Sequence, residues 1–471
     1  MTLPLKLVAF ERYMLADDRT RHPMTFTVRL KFSGPFDSGA FRAAVRAAVR
    51  RHPLLAAHLD DSLPKEPAWV AADDPSAWID IGSLDKPLEF PGSERIDLRQ
   101  ETGLRIWVRT GEKRTEMRFQ FHHSCTDGIG AYRLVEDVLC AYDANVRGDS
   151  HQPRFRPLER NRLRQRNRFG LNWRQTALRL PQEVWGAVVG AAMFFARRPA
   201  SLATAEVPQV DEASRLELLD YPTHSFTEQE TRQLRDAARR HRATLNDLLL
   251  RDLLLVSYRW NRRLGVARRR SLRVAMPIDL RGPGDDLLPA TNAVAMVFLD
   301  RIVGWYFGPR HLLWSIKWET SFIKRFRLGL SFIRICKFVS KIPGGLQRLT
   351  RADRCYTSAV MSNMGRPLTE APLPRCEGKL HCGEMTLDAI ESAPPVRPDT
   401  AAGLTAVTYA DRLTVVINYD RFHFTPQAAA DFLDTLIRQM KQTAASSAQG
   451  RVSSKKSGTQ TPGRYPDSLA S

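Results

Sequence analysis

The chain has 471 residues, too many for one ordinary hydrophobic core, and so should divide into at least two domains. Its 43% hydrophobic content is that of a soluble globular protein, but a net charge of +20 is unusual and implies an anionic partner: nucleic acid, an acidic membrane face, an acidic protein or a phosphorylated small molecule. No zinc-finger, RNA-binding or helix-turn-helix signature accompanies the charge, which makes nucleic acid the weakest of these.

At the start, MTLPLKLVAFERYM carries Lys6 and Glu11 inside an otherwise apolar stretch, so no secretory signal is expected. Residues 25–32 alternate Phe26, Val28, Leu30 and Phe32 with Thr27, Arg29 and Lys31, which predicts a half-buried strand. An amphipathic helix should follow from about Ser38 to Arg51, with Phe41, Val45 and Val49 on one face and Pro53 ending it. Strands are predicted over 105–109 and 116–122. In the second, Met117, Phe119 and Phe121 oppose Arg118 and Gln120, an alternation that would put His123 on the apolar side and His122 on the polar one. Ile129, Tyr132, Val135, Val138, Leu139 and Tyr142 then recur at helical spacing, completing a mixed α/β unit near Asn145.

From Arg154 to Arg179 there are nine arginines and one acid, Glu159. The uncharged run VWGAVVGAAMFFA follows from Val184 to Ala196, closed by Arg197 and Arg198. Its thirteen residues are too few to span a bilayer. The stretch reads either as a core helix with a solvated basic crossover or as an interfacial segment on anionic headgroups.

The second half opens with an expected strand at about 216–221. Thr227 and Glu230 form a capping-box pattern before a helix reaching about His241. A leucine-rich helix is predicted from Asn246 to Arg263, then strands at 272–278 and 293–299, a helical basic stretch at 310–342, strands near 357–362, 404–409 and 413–419, and a last helix from Pro426 to Met440. Beyond Gln442 the Ala, Ser, Lys, Gly and Pro composition lacks periodicity, so 443–471 is expected to be a disordered tail. Cysteines stand at 125, 140, 336, 355, 376 and 382 without a CxxC pair, and Cys376-His381-Cys382 fits no common zinc spacing, so no metal is expected and a reducing cytoplasm suits the set.

The segment His122-His123-Ser124-Cys125-Thr126-Asp127-Gly128 lies where strand gives way to helix. An imidazole at a strand end, aimed into a cleft, can take a proton from an attacking hydroxyl or amine near neutral pH. His122 reads as a core or turn histidine before a catalytic one, and Asp127 can be read as a helix cap and Gly128 as a turn residue. The segment resembles the HHxxxDG signature of the CoA-dependent acyltransferase superfamily, which includes chloramphenicol acetyltransferase, condensation domains of peptide synthetases, alcohol O-acetyltransferases, plant acyltransferases and bacterial wax ester synthases. The resemblance, over roughly residues 5 to 442, implies an α/β fold with mixed sheets in which two chloramphenicol-acetyltransferase-like subdomains form a V around a central tunnel. Residues 1–205 would make the first, including a basic crossover at 150–205, and 206–442 the second. It also implies His123 as general base and a structural Asp127 ion-paired to an arginine.

Three later stretches resemble further motifs of that superfamily. Met276-Pro277-Ile278-Asp279-Leu280-Arg281 offers Arg281 as the partner of Asp127, or merely a solvated strand-end arginine. Thr291-Asn292-Ala293-Val294 resembles the asparagine before a crossing strand in condensation-type enzymes, and Asn292 reads equally as a turn residue. Ser362-Asn363-Met364-Gly365 resembles the SN-x-G of alcohol acetyltransferases, where Ser362 and Asn363 would donate hydrogen bonds to an oxyanion, although a Ser-Asn turn before glycine explains the same residues. The DFGWG motif of the plant enzymes and an NVPGP-like stretch are absent. The expectation is a free-standing cytoplasmic acyltransferase, peripheral at the inner membrane in its lipid version. It would move an acyl group from acyl-CoA or an acyl carrier protein to an alcohol or amine, without a bound cofactor. The alternative is a catalytically inactive condensation-like protein that binds a carrier protein or an anionic membrane surface.

Overall fold

In the computed structural model, which describes residues 3–456 apart from 63–66, 149–150, 207, 209–216, 219, 307 and 352–353, the chain builds two large mixed sheets and a small one. The mixed α/β architecture expected from the sequence is the one adopted. The first sheet orders its strands Arg375–Cys376, Lys379–Cys382, Met385–Ala393, Thr25–Ser33, Arg114–His122, Leu104–Thr110 and Trp78–Ser83. The second runs Val294–Arg301, Leu272–Asp279, Ala359–Gly365, Ala402–Tyr409, Arg412–Tyr419 and Thr223–Ser225.

At the centre of the first sheet, Thr25–Ser33 and Arg114–His122 pair antiparallel along their whole length, with Thr25 opposite His122. The alternating apolar residues dictate that register: Phe26 and Phe121 stack 5.3 Å apart, and Val28, Leu30 and Phe119 are fully buried against Phe41 and Val45 of helix Ser38–Val49 and Leu134 and Val138 of helix Gly128–Arg147. Each such side chain contributes about 1.5–3 kcal/mol of burial. Asp37 caps the first of these helices by accepting from the Ala40 amide at 2.8 Å. In the second half, helices Glu228–Arg240, Leu245–Arg263 and Pro426–Lys456 pack together beside the second sheet, and the first two begin with reciprocal capping boxes at Thr227/Glu230 and Thr244/Asp247.

Several expectations need correction. The first sheet crosses the 205/206 division, because three strands from 375–393 return to complete it beside Thr25–Ser33. The polar residues in the second half of the motif strand are covered: Arg118 and Gln120 are buried, Gln120 donating to Thr25 Oγ1 and the Glu94 carbonyl and Arg118 pairing with Asp220. His122, in phase with these two, is likewise fully buried. The stretch 310–342 is two helices, Pro309–Arg325 and Gly329–Val339. The last helix continues past Gln442 to Lys456, since Ala-Ser-Gln sequence carries no proline and Thr443 and Ala444 still bury against Leu245–Arg263 and its surroundings. The rest of the expected tail, 457–471, lies outside the described residues, as does part of the strand expected at 216–221, where the described strand is Thr223–Ser225.

Candidate active site

The motif strand ends at His122, and backbone hydrogen bonds fix the turn that follows. His122 N donates to the Gly103 carbonyl at 3.0 Å, His123 N to the Met24 carbonyl at 2.7 Å, and Cys125 N to the His122 carbonyl at 3.0 Å. The His122 ring points into the core, where Nδ1 accepts from the Ser124 amide at 3.1 Å and Nε2 lies 3.5 Å from Asp18. His123 turns the other way. Its ring packs on Phe26, 5.0 Å between centroids, and forms part of the wall of a cavity of about 1060 Å³. Burial lowers the pKa of this imidazole below its ordinary value, and the opposing pull of its own carbonyl, Asp127 and Asn292 does not reverse the shift. The shift favours the neutral ring, the form that can accept a proton.

Asp127 does two things at once. It caps helix Gly128–Arg147, Oδ1 accepting from the Gly130 amide at 2.9 Å, and it receives both terminal nitrogens of Arg281 at 2.9 Å each. The Ala293 amide donates to Oδ2 at 2.8 Å. Burial alone would raise this carboxyl, but the Arg281 charge, its hydrogen bonds and the two amides bring it below the usual carboxylate value. Arg281 also donates to the Thr291 carbonyl at 3.1 Å and to Asp279 at 3.0 Å. Asn292 is buried and its Nδ2 donates to the His123 carbonyl.

Ser362 and Asn363 lie near the end of strand Ala359–Gly365 and line the same cavity as His123. Ser362 Oγ points at Met364 Sδ, 3.4 Å away, and Asn363 Oδ1 accepts from the Gly365 amide at 3.0 Å, leaving its side-chain amide available in an exposed position. Gly128 also borders the cavity, and a Cβ there would sit 2.2 Å from Met364 Cε. Its place is set by close approach and not by backbone conformation, since its φ is not positive.

Sequence reasoning missed two residues that hold the site from behind. His52 is fully buried and its Nδ1 accepts from the Ala290 amide at 2.8 Å, while Nε2 meets Asp137 at 3.1 Å. Arg133 donates to the Leu288 carbonyl at 2.6 Å and the Asp285 carbonyl at 3.1 Å. Neither carries a local signal, because each partner lies 85 or more positions away in the chain. The cavity wall was missed as well: Trp185, Val189, Met193 and Phe194, from helix Trp173–Ala196, line it together with the second sheet's Val294 and Met296.

No family model matches the chain. It is 28% identical over 144 residues to the nonribosomal peptide synthetase TES of Alternaria alternata, covering 30% of this chain and 3% of that protein. It is 25% identical over 272 residues to the phthiocerol/phthiodiolone dimycocerosyl transferase of Mycobacterium leprae, 55% of this chain and 60% of the relative. The chain thus spans less than two thirds of the length of these curated relatives. Among solved structures, the starter condensation domain of rhizomide synthetase RzmA, in complex with C8-CoA and Leu-SNAC, matches over 94% of both chains with a TM-score of 0.67 and 14% identity, a likeness of fold. The fold is therefore that of a condensation domain, and the sequence similarity runs to a peptide synthetase and an acyl transferase.

Proposed function

We propose that the chain is a thioester-dependent acyltransferase with His123 as general base. An acceptor hydroxyl or amine gives its proton to the His123 imidazole as its oxygen or nitrogen bonds to the acyl carbon. The carbonyl electrons move onto oxygen, with Ser362 and Asn363 as the nearby donors for that charge. Collapse expels the thiolate of CoA or a carrier, which takes the proton back from the imidazolium. Both substrates meet in one cavity, so no covalent acyl-enzyme is needed.

The observation that carries this reading is a neutral-favouring imidazole set in the wall of a large, mainly apolar cavity whose lining includes Met24, Val294, Met296, Phe298 and Phe332. Such a lining suits an apolar acyl chain. A second cavity of about 930 Å³ shares Val294 with the first and is lined by Arg164, Arg168, Lys337 and Lys341, a setting suited to the phosphates of CoA.

The test is thiol release from a panel of acyl-CoAs in the presence of alcohols and amines, with products identified by mass spectrometry. His123→Ala should lower turnover by about 10²–10⁴-fold while leaving the melting temperature near that of the wild type. Undiminished turnover in the variant would remove His123 from the chemistry. A wild type that releases no thiol with any donor would favour the catalytically inactive alternative.

A further inference from the structure

The cavity opens through a rim of large apolar side chains that the fold leaves uncovered. Helix Trp173–Ala196 runs for 24 residues, yet Glu183 is its one buried side chain. Leu178 is 82% exposed and Trp185 71%. Helix Pro309–Arg325 shows Trp314, Trp318 and Phe322 at successive i, i+4 positions, with Trp314 65% and Trp318 62% exposed, and the stripe continues into Phe326. The rings stack along it, Trp318 on Phe322 at 5.5 Å and Phe322 against Phe326 at 4.5 Å. The two elements adjoin, since Gln182 donates to the Phe326 carbonyl at 3.1 Å. Trp185, Met193, Phe195, Trp318, Phe322 and Phe326 are all exposed and all line the cavity that holds His123. One apolar surface is therefore continuous from solvent to the imidazole.

The charge around this rim has one sign. Residues 309–342 carry eight lysines and arginines against one acid, Glu319, which is itself paired with Arg301 at 2.6 Å. Residues 173–198 carry four arginines against Glu183, which is paired with Arg334 at 2.6 Å. Among the described residues no helix is long and apolar enough to cross a membrane. Exposed tryptophans and phenylalanines framed by unopposed cations, on helices too short or too polar to span, are the composition of an interfacial surface. A second copy is a poor occupant, because pairing this face with itself would bring two positive rims together.

We propose that the face formed by helices Trp173–Ala196 and Pro309–Arg325 docks on an anionic lipid bilayer, and that the cavity draws an apolar substrate straight from the acyl-chain region. The docking stands on this geometry alone, whereas the passage of substrate rests on the acyl-transfer reading above.

The full chain should float with vesicles of phosphatidylcholine mixed with phosphatidylglycerol, remain in the dense fraction with phosphatidylcholine alone, and be released by salt. Leu178→Ser with Trp314→Ser, two exposed positions on these stripes that do not line the cavity, should weaken vesicle binding by about tenfold or more. The same double variant should turn over a short, water-soluble acyl-CoA as the wild type does. His123→Ala should float normally while losing turnover, whereas a wild type that floats but releases no thiol would refute the enzymatic reading and leave docking intact. Failure of the wild type to float with anionic vesicles, or equal flotation of the double variant, would overturn the proposal. So would a dimer in light scattering that the double variant dissolves.

Discussion

Replacing Arg281 by alanine should be among the most damaging single changes in the molecule. The guanidinium satisfies both oxygens of Asp127 at 2.9 Å, and the two side chains are almost wholly removed from water. Without it, a carboxylate held below its ordinary pKa is left buried with two backbone amides as its remaining partners. Breaking one side of a buried pair costs about 3–5 kcal/mol. An unfolding entropy of about 2.1 cal/mol/K per residue amounts to roughly 1 kcal/mol/K for a chain of this length, so the melting temperature should fall by about 3–5 °C if the chain unfolds as a unit. Scanning calorimetry of Arg281→Ala, Asp127→Ala and the double variant closes a cycle, in which the double variant should cost less than the sum by about 1–3 kcal/mol. The pH dependence has a definite sign. A carboxyl whose folded pKa is depressed contributes stability that is fully present above its ordinary value of 3.8 and is lost as pH falls through the lower folded value. The gap between wild type and Arg281→Ala should therefore close in strong acid. A melting point within about a degree of wild type, or strictly additive costs, would refute the view that this pair holds the motif.

Two further outcomes follow from the site. Because burial lowers the His123 pKa, kcat/KM should fall on the acid side with an apparent pKa below 6.5 and stay level through neutrality, since only the neutral ring accepts a proton; an acid limb at or above 6.5 in a pH–rate profile would contradict this. The motif glycines should respond unequally to alanine: at Gly130 a Cβ would meet Thr126 Oγ1 at 2.2 Å and the Thr291 amide at 3.0 Å, whereas at Gly128 the clash is with the flexible end of Met364. Gly130→Ala should cost about 1–3 kcal/mol in thermal denaturation and Gly128→Ala clearly less, and equal costs would mean the backbone at Thr291 gives way easily.

Local pattern made the central strands and the motif legible, because the alternation of Phe26, Val28 and Leu30 and of Met117, Phe119 and Phe121 needs no knowledge of partners. It misled at His122 for a reason outside the strand: Gln120 donates to the Glu94 carbonyl and Arg118 pairs with Asp220, so these two polar side chains are buried as well. Strand Met385–Ala393 escaped notice because its alternation of Met385, Leu387 and Ala389 slips phase at Ile390, and its pairing with Thr25–Ser33 is bulged between Leu387 and Ala389. The basic bridge shows the same limit. Arg166 is indistinguishable in sequence from its neighbouring arginines, yet it is buried against fully buried Glu11, at 2.6 and 2.7 Å, from a partner 155 positions earlier. One of the nine arginines thus belongs to the core and not to the charged surface.

The placement of the proposed base is not a property of the HHxxxDG segment alone. The stretch from Asp285 to Ala293, in the second half of the chain, is gripped by three first-half side chains: Arg133 on the Asp285 and Leu288 carbonyls, His52 on the Ala290 amide, and Asp127 on the Ala293 amide. The same stretch grips back through Asn292, whose amide holds the His123 carbonyl. His52 can accept from Ala290 only while Nδ1 is unprotonated, a state that burial favours by lowering its pKa, and its proton then sits on Nε2 toward Asp137. The two halves are therefore tied together by polar contacts that surround the turn carrying His123. A shift of one half against the other would strain Asp127 and Asn292 together. That coupling explains why a charged pair and a buried histidine occupy positions a plain hydrophobic contact could have filled: directional bonds fix where the imidazole stands, and apolar packing would not.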